Sequence, residues 1–219
     1  MSDSAGPELS LPPGLRSPEA IQLFLDERLG YNKERRGETA RSPRRVLETR
    51  EAHCFEGALF AAAALRRLGH PPLVVQLRAV RDTDHVLALY RGRRRAGRWG
   101  AVAKSNYSGL RFRSPVYASL RELAMSYFDC YFNLVGEKSL RALGRPVDLS
   151  RFDGRGWETA GEDLWDVSAW VATRRFTPLV AGPPSRRLGW MDLRLFDAGL
   201  VGSAAIPVGP GVRARLRRR

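Results

Sequence analysis

Between Phe55 and Leu68 apolar residues return every three or four positions, at Phe55, Ala58, Leu59, Ala62, Leu65 and Leu68. That spacing predicts a helix with one apolar stripe. Gly69, followed by Pro71 and Pro72, marks its end, because glycine accepts a left-handed cap and proline cannot continue a helix. The pattern then changes period. Leu73–Val80, His85–Tyr90 and Trp99–Ser105 are short apolar runs rich in strand-forming residues, and they predict three strands. The last two read as an antiparallel hairpin around the Arg- and Gly-rich loop 91–98. With Tyr90 roughly opposite Trp99, His85 falls opposite Lys104 or its neighbours. Asn106 then shares a face with His85 as a diagonal neighbour within side-chain reach.

The flanks are less regular. Residues 1–15 are rich in Ser, Pro and Gly and read as a flexible N-terminal segment. Ser17 and Pro18 have the chemistry of a helix N-cap and first helical position, and Gly30 closes that helix. Residues 31–50 hold seven basic and three acidic side chains and predict a partly ordered surface arm, broken at Ser42-Pro43. Such a run is ordinarily a solvated face and less often a polyanion site. Ser114-Pro115 predicts a second helix over Val116–Phe132, with Cys130 as a small core residue. Residues 133–156 read as loop with a turn of helix at 139–143, and Glu162-Asp163 opens a third helix through Val171. The expected organisation is therefore a flexible segment at 1–15, one folded domain at 16–175 and a Pro/Gly-rich basic extension at 176–219.

Composition narrows the picture modestly. A chain of 219 residues with 43% hydrophobic content is long enough for one good core. The net charge is +14, and of the 37 basic residues only three are lysine, leaving 34 arginines. That skew is compatible with a GC-rich coding sequence as well as with polyanion binding. The 91–98 loop and the tail, where residues 186–219 carry eight basic and two acidic side chains, are the places for non-specific polyanion contact. Cys54 and Cys130 form neither a disulfide framework nor a metal knuckle, which fits a reducing compartment. No leader pattern and no run near the ~18 apolar residues of a membrane span is visible, so the expectation is a cytoplasmic protein without membrane contact.

Candidate chemistry centres on Cys54. In the first turn of its helix, unpaired N–H groups and the helix dipole favour a thiolate. His53, about 100° away around a helix, reads as first-turn surface rather than as a base. Asp82 and Asp84 either orient His85 or solvate a turn. No spacing among His53, Cys54, Asp84 and His85 matches a zinc signature, and the expectation is no metal and no cofactor. Cysteine on a helix start, histidine on a strand and a polar side chain on the next strand is the arrangement of papain-like thiol enzymes.

Over residues 40–110 the chain resembles the transglutaminase-like superfamily. The resemblance lies in Cys54-Phe-Glu-Gly-Ala-Leu, in the helix exit Leu65-Arg-Arg-Leu-Gly-His-Pro-Pro, in Asp84-His85-Val-Leu-Ala-Leu-Tyr and in Trp99 at the third strand. It departs from the family at His53, where Gly is usual, and in lacking an Asp between His85 and Asp129. The resemblance implies an α+β fold of cysteine-proteinase type, a Cys-bearing helix on an antiparallel sheet with flanking helices. It implies Cys54 as nucleophile and His85 as base. Asn106 stands for the family's Asp, with Ser105 and Asp84 as alternatives. The implied chemistry is hydrolysis or acyl transfer of a protein, peptide or other amide substrate through a thioester. Two other functions fit the same residues: an inactive binding module on this fold, and an Arg-rich nucleic-acid binder.

Overall fold

The strongest periodicities become the centre of the structure, a computed structural model that describes residues 8–92, 97–183, 185–203 and 208–218. The first elements are α1 (Pro18–Glu27), β1 (Gly30–Tyr31), α2 (Pro43–Thr49), β2 (Glu51–Ala52) and α3 (Cys54–Arg67). Then come β3 (Leu73–Ala79), β4 (His85–Arg91), β5 (Trp99–Val102), β6 (Arg113–Tyr117) and α4 (Leu120–Met125). The chain finishes with β7 (Leu140–Gly144), β8 (Val147–Asp148), α5 (Trp165–Ala172), β9 (Phe176–Pro178), α6 (Leu193–Gly199) and α7 (Val212–Arg217).

One seven-stranded sheet runs in the order β6-β5-β4-β3-β7-β9, with β8 beside β3, and every pair in it is antiparallel. The fold is α+β, as expected. The alternation of a strand divides the sheet into two buried faces. Val74, Val86, Ala88, Tyr90 and Val102 face α3. Val75, Leu77, Leu87, Leu89, Ala101 and Ala103 pack with Leu123, Tyr127 and Tyr131 on the other side. Helix α3 is buried at every position from Phe55 to Leu65, not along one stripe. Ile21 and Leu25 of α1, Val46 of α2, and Leu149, Trp157, Leu164 and Val167 surround it. Four consecutive alanines, Ala61–Ala64, let these elements approach closely. Truncating Leu59 or Phe60 there costs about 2–5 kcal/mol.

Several expectations change. The hairpin pairs Arg91 with Trp99 and Tyr90 with Gly100, one residue away from the expected register. The cause is local: a Cβ on Gly100 would meet the Tyr90 ring at 2.5 Å, so ring and glycine fit only each other. The predicted helix at 116–132 is instead β6, α4 and a 3-10 turn at Phe128–Cys130. Its real cap is Ser119, whose hydroxyl accepts from Glu122 N–H at 3.1 Å. Residues 140–144 form strand β7 on β3 rather than a helical turn, tertiary pairing overriding local propensity.

The flanking segments are more ordered than the sequence suggests. The basic arm contains β1, paired in parallel with β2, and helix α2. Leu9 of the N-terminal segment is buried against α3's cluster. The C-terminal residues supply edge strand β9 and a small core in which Phe196, Val212 and Leu216 pack on Phe132. Residues 1–7 of the N-terminal segment and 93–96 of the Arg-rich loop lie outside the described residues. Among the described residues, no helix is long and apolar enough to cross a membrane.

Candidate active site

Strand β2 ends at Ala52, and His53 is the extended N-cap of α3, with φ −89° and ψ −173°. Its Nδ1 accepts from Phe55 N–H at 3.3 Å, while the Glu56 carboxylate accepts from His53 N–H at 3.0 Å. The two residues thus satisfy donors at the helix start reciprocally. This cap fixes Cys54 as the first helical residue. It also corrects the placement of His53: being outside the helix, it does not follow the 100° rotation and lines the same cleft as Cys54.

That cleft has a volume of about 190 Å³, and its walls include Tyr31, His53, Cys54, His85, Ser105 and Tyr107. The Cys54 Sγ lies 3.8 Å from the Asp84 carbonyl oxygen, beside the start of β4. Burial pushes the thiol up, but hydrogen bonding to His53 and His85, reinforced by their charge, outweighs it and leaves Cys54 lowered to about 6. At neutral pH the thiolate is the major form.

His85 is 4% exposed, and its Nε2 lies 2.8 Å from the Leu110 carbonyl oxygen. A carbonyl only accepts, so Nε2 carries the proton and Nδ1 keeps a lone pair, the tautomer a base needs. Tyr131 packs edge-on to the ring at 6.5 Å between centroids. Its hydroxyl donates to the Thr83 carbonyl at 2.7 Å, tying the turn before His85 to the core.

The structure does not bring Asn106 to His85. Ser105 and Tyr107 line the cleft with His85, and Asn106 is not among its walls. Asp84 does not orient the ring either. Its carboxylate accepts from Gln76 Nε2 at 2.5 Å and from Ala79 N–H at 2.8 Å, closing the β3–β4 turn. Asp82 lines the cleft but is held by the Ser139 hydroxyl at 2.5 Å and by Thr83 N–H. Burial, aided by Asp84, pushes its carboxyl up to about 6.

His53 is the residue that sequence reasoning undervalued. Burial alone would depress it, but the Cys54 sulfur, then Glu56 and the Thr39 carbonyl, lift the ring to about 9. Its Nε2 lies 2.9 Å from the Thr39 carbonyl and 3.6 Å from both Glu34 and Glu56. The His53…Glu56 spacing, read as a cap followed by an N3 glutamate, was the signal available for finding it. The Leu110 carbonyl had no signal, since any residue carries one.

Glu56 ties this region together. It is fully buried and accepts from Thr39 Oγ1 at 2.7 Å, Asn32 Nδ2 at 3.1 Å and Arg41 N–H at 3.1 Å, besides His53 N–H. Tyr31, at the lip of the cleft, has its phenol raised by burial and then by negative charge on Cys54 and Glu34, so it stays a donor. In comparisons with known proteins, no family model matches the chain and no curated protein matches it.

Proposed function

We propose that the chain is a thiol enzyme of transglutaminase-like type, which opens an amide or peptide bond through a thioester on Cys54. The observation that supports this best is the meeting of Cys54, at the open end of α3, with His85 in one cleft, the imidazole held in its basic tautomer by Leu110. At neutral pH the Cys54 proton has already passed to an imidazole beside it, and the sulfur adds to the carbonyl carbon as the thiolate. The Cys54 N–H, in the first turn of the helix, faces the developing oxyanion, and the Tyr31 hydroxyl is the second donor in the cleft. Collapse of the tetrahedral adduct breaks the C–N bond, and the imidazolium returns the proton to the leaving amine. Water or a second amine then attacks the thioester, giving up a proton to His85, and the thiolate leaves. No cofactor enters these steps.

The test is acyl-enzyme formation with an activated ester, followed by mass. The wild type is expected to gain one acyl group that hydroxylamine removes, and Cys54→Ser to gain none. Acylation of Cys54 no faster than that of a free peptide thiol rejects the reading. One observation favours a second reading, an inactive binding module: the group behind His85 is a neutral carbonyl, not a carboxylate. In that case Cys54→Ser leaves the protein's binding to its partner unchanged.

A further inference from the structure

The thiol cleft does not end at Tyr31. That residue and Glu34 are also walls of a second, larger cavity of about 600 Å³, built from the basic arm between α1 and α2. Lys33, Arg35, Arg36 and Arg41 line it, against two carboxylates, Glu34 and Glu51. The acidic pair is largely engaged. Glu34 accepts from Thr39 N–H at 2.9 Å and sits 3.6 Å from His53 Nε2, and Glu51 lies 3.7 Å from Arg41. Among the described residues Arg35 and Arg36 are exposed and pair with no carboxylate. The Arg41 Nε is buried without a hydrogen-bond partner among them, and lies 3.9 Å from a Glu56 carboxylate oxygen.

The backbone that carries these cations is anchored to the helix that carries the sulfur. Asn32, Thr39 and the Arg41 N–H, at the two ends of the arm's loop, all bond to Glu56, which is two residues from Cys54 on the same helix. Between those anchors the chain makes a tight turn, with Glu34 at φ 52° and Gly37 at φ 112°. A left-handed glutamate is an unusual conformation that the loop holds in place.

We propose that this basic cavity is the anionic subsite of the thiol cleft, binding a carboxylate that the substrate carries one or two residues from the amide attacked by Cys54. The proposal rests on the thiol-enzyme reading for the identity of the reacting group, but its electrostatic part stands on the cavity alone. An extended chain whose carbonyl sits at Cys54 passes Tyr31 and Glu34 into the cavity, where the guanidinium groups meet a carboxylate in paired hydrogen bonds.

The experiment has two arms. In the first, three chloroacetamide-capped peptides, identical except for Glu, Gln or Lys beside the electrophile, compete for Cys54. The Glu peptide is expected to label about tenfold faster than the Lys peptide at low salt, with the ratio shrinking at high salt. Arg35→Gln/Arg36→Gln is expected to bring the ratio near unity; both sites are exposed, so the fold tolerates the change. A ratio near unity in the wild type, or one unaltered in the double variant, overturns the proposal. The second arm measures binding of the same peptides as plain amides to Cys54→Ala. A preference for Glu that the double variant abolishes supports the subsite even if the thiol proves inert, in which case only the enzyme reading falls. Equal binding of all three peptides overturns the subsite regardless of how the thiol behaves.

Discussion

His85 and Leu110, twenty-five residues apart, are joined ring to backbone: Nε2 lies 2.8 Å from the carbonyl oxygen. The bond sets the tautomer and the ring's orientation as a side-chain amide or carboxylate would. Being neutral, it stabilises an imidazolium less than a carboxylate does.

Two substitutions separate His85 from the residue that sequence pattern pairs with it. His85→Ala is expected to slow hydrolysis of the acyl-enzyme about 10²–10⁴-fold, the usual worth of a positioned base. Asn106→Ala is expected to leave the rate unchanged, since Asn106 is not among the walls of the cleft. A large loss in Asn106→Ala with none in His85→Ala assigns the base elsewhere.

The thiol's acidity gives a pH signature. In a Cys130→Ser background, alkylation of Cys54 by iodoacetamide follows the thiolate. The rate is expected to be near its plateau at pH 7 and to fall as pH drops through about 6. A free thiol has its midpoint near ~8.5. His53→Gln removes the imidazole that, after burial, has the largest influence on the sulfur, so the midpoint moves upward. A midpoint near that of a free thiol in the unsubstituted protein contradicts the ion pair.

How much of this was legible beforehand follows from what each feature depends on. The period of Phe55–Leu68 and the apolar runs after it depend on single chain segments, so α3, β3 and β4 are visible in the sequence. Cys54 at the start of α3 and His85 at the start of β4 come with them. The register of β4 against β5 depends on the fit of the Tyr90 ring over Gly100, a contact between two strands, and a one-residue slip exchanges Asn106 for Ser105. Ser114-Pro115 imitates a helix start, yet Val116 and Tyr117 suit the strand that β5 accepts, and Ser119 takes the cap. The arm at 31–50 looks solvated by composition. Its order comes from one buried carboxylate, Glu56, whose partners are scattered over Asn32, Thr39 and Arg41.

Glu56 accordingly governs stability as well as geometry. Glu56→Gln keeps the shape but turns an amide N–H₂ toward at least one of the donors that the carboxylate now accepts. The expected loss is about 3 kcal/mol in urea unfolding, the scale for breaking a buried charged network. Amide exchange in residues 32–42 should quicken in parallel. Burial pushes the carboxyl up, but His53, Thr39 and Asn32 hold it below the usual carboxylate range. Its contribution is therefore complete above the ordinary glutamate value of ~4.3 and disappears as the solution is acidified below it. A Glu56→Gln variant with wild-type stability at pH 7 removes the carboxylate from this role.

Gly57 gives the sharpest packing test, because two effects of opposite sign meet there. Alanine is the better helix former by about 1 kcal/mol. A Cβ on Gly57 would lie 2.4 Å from the Lys104 Cβ, however, a distance real side chains do not tolerate. Lys104 has little room to retreat, since its Nζ is buried and donates to the Leu25 and Leu29 carbonyls at 2.5 and 2.6 Å, closing the end of α1. Overpacking of this kind costs about 1–3 kcal/mol and often more against a pinned neighbour, so Gly57→Ala should be destabilising on balance. Gly57 is one turn beyond Cys54, and relief of the clash by sliding α3 should also slow alkylation of the thiol. Lys104→Gly deletes the atom that is struck. Combined with Gly57→Ala it should therefore cost less than the two single losses added together, a coupling readable from a double-mutant cycle. Strict additivity means that α3 and Lys104 do not press on each other, and the close approach that positions Cys54 against the sheet would have to be abandoned.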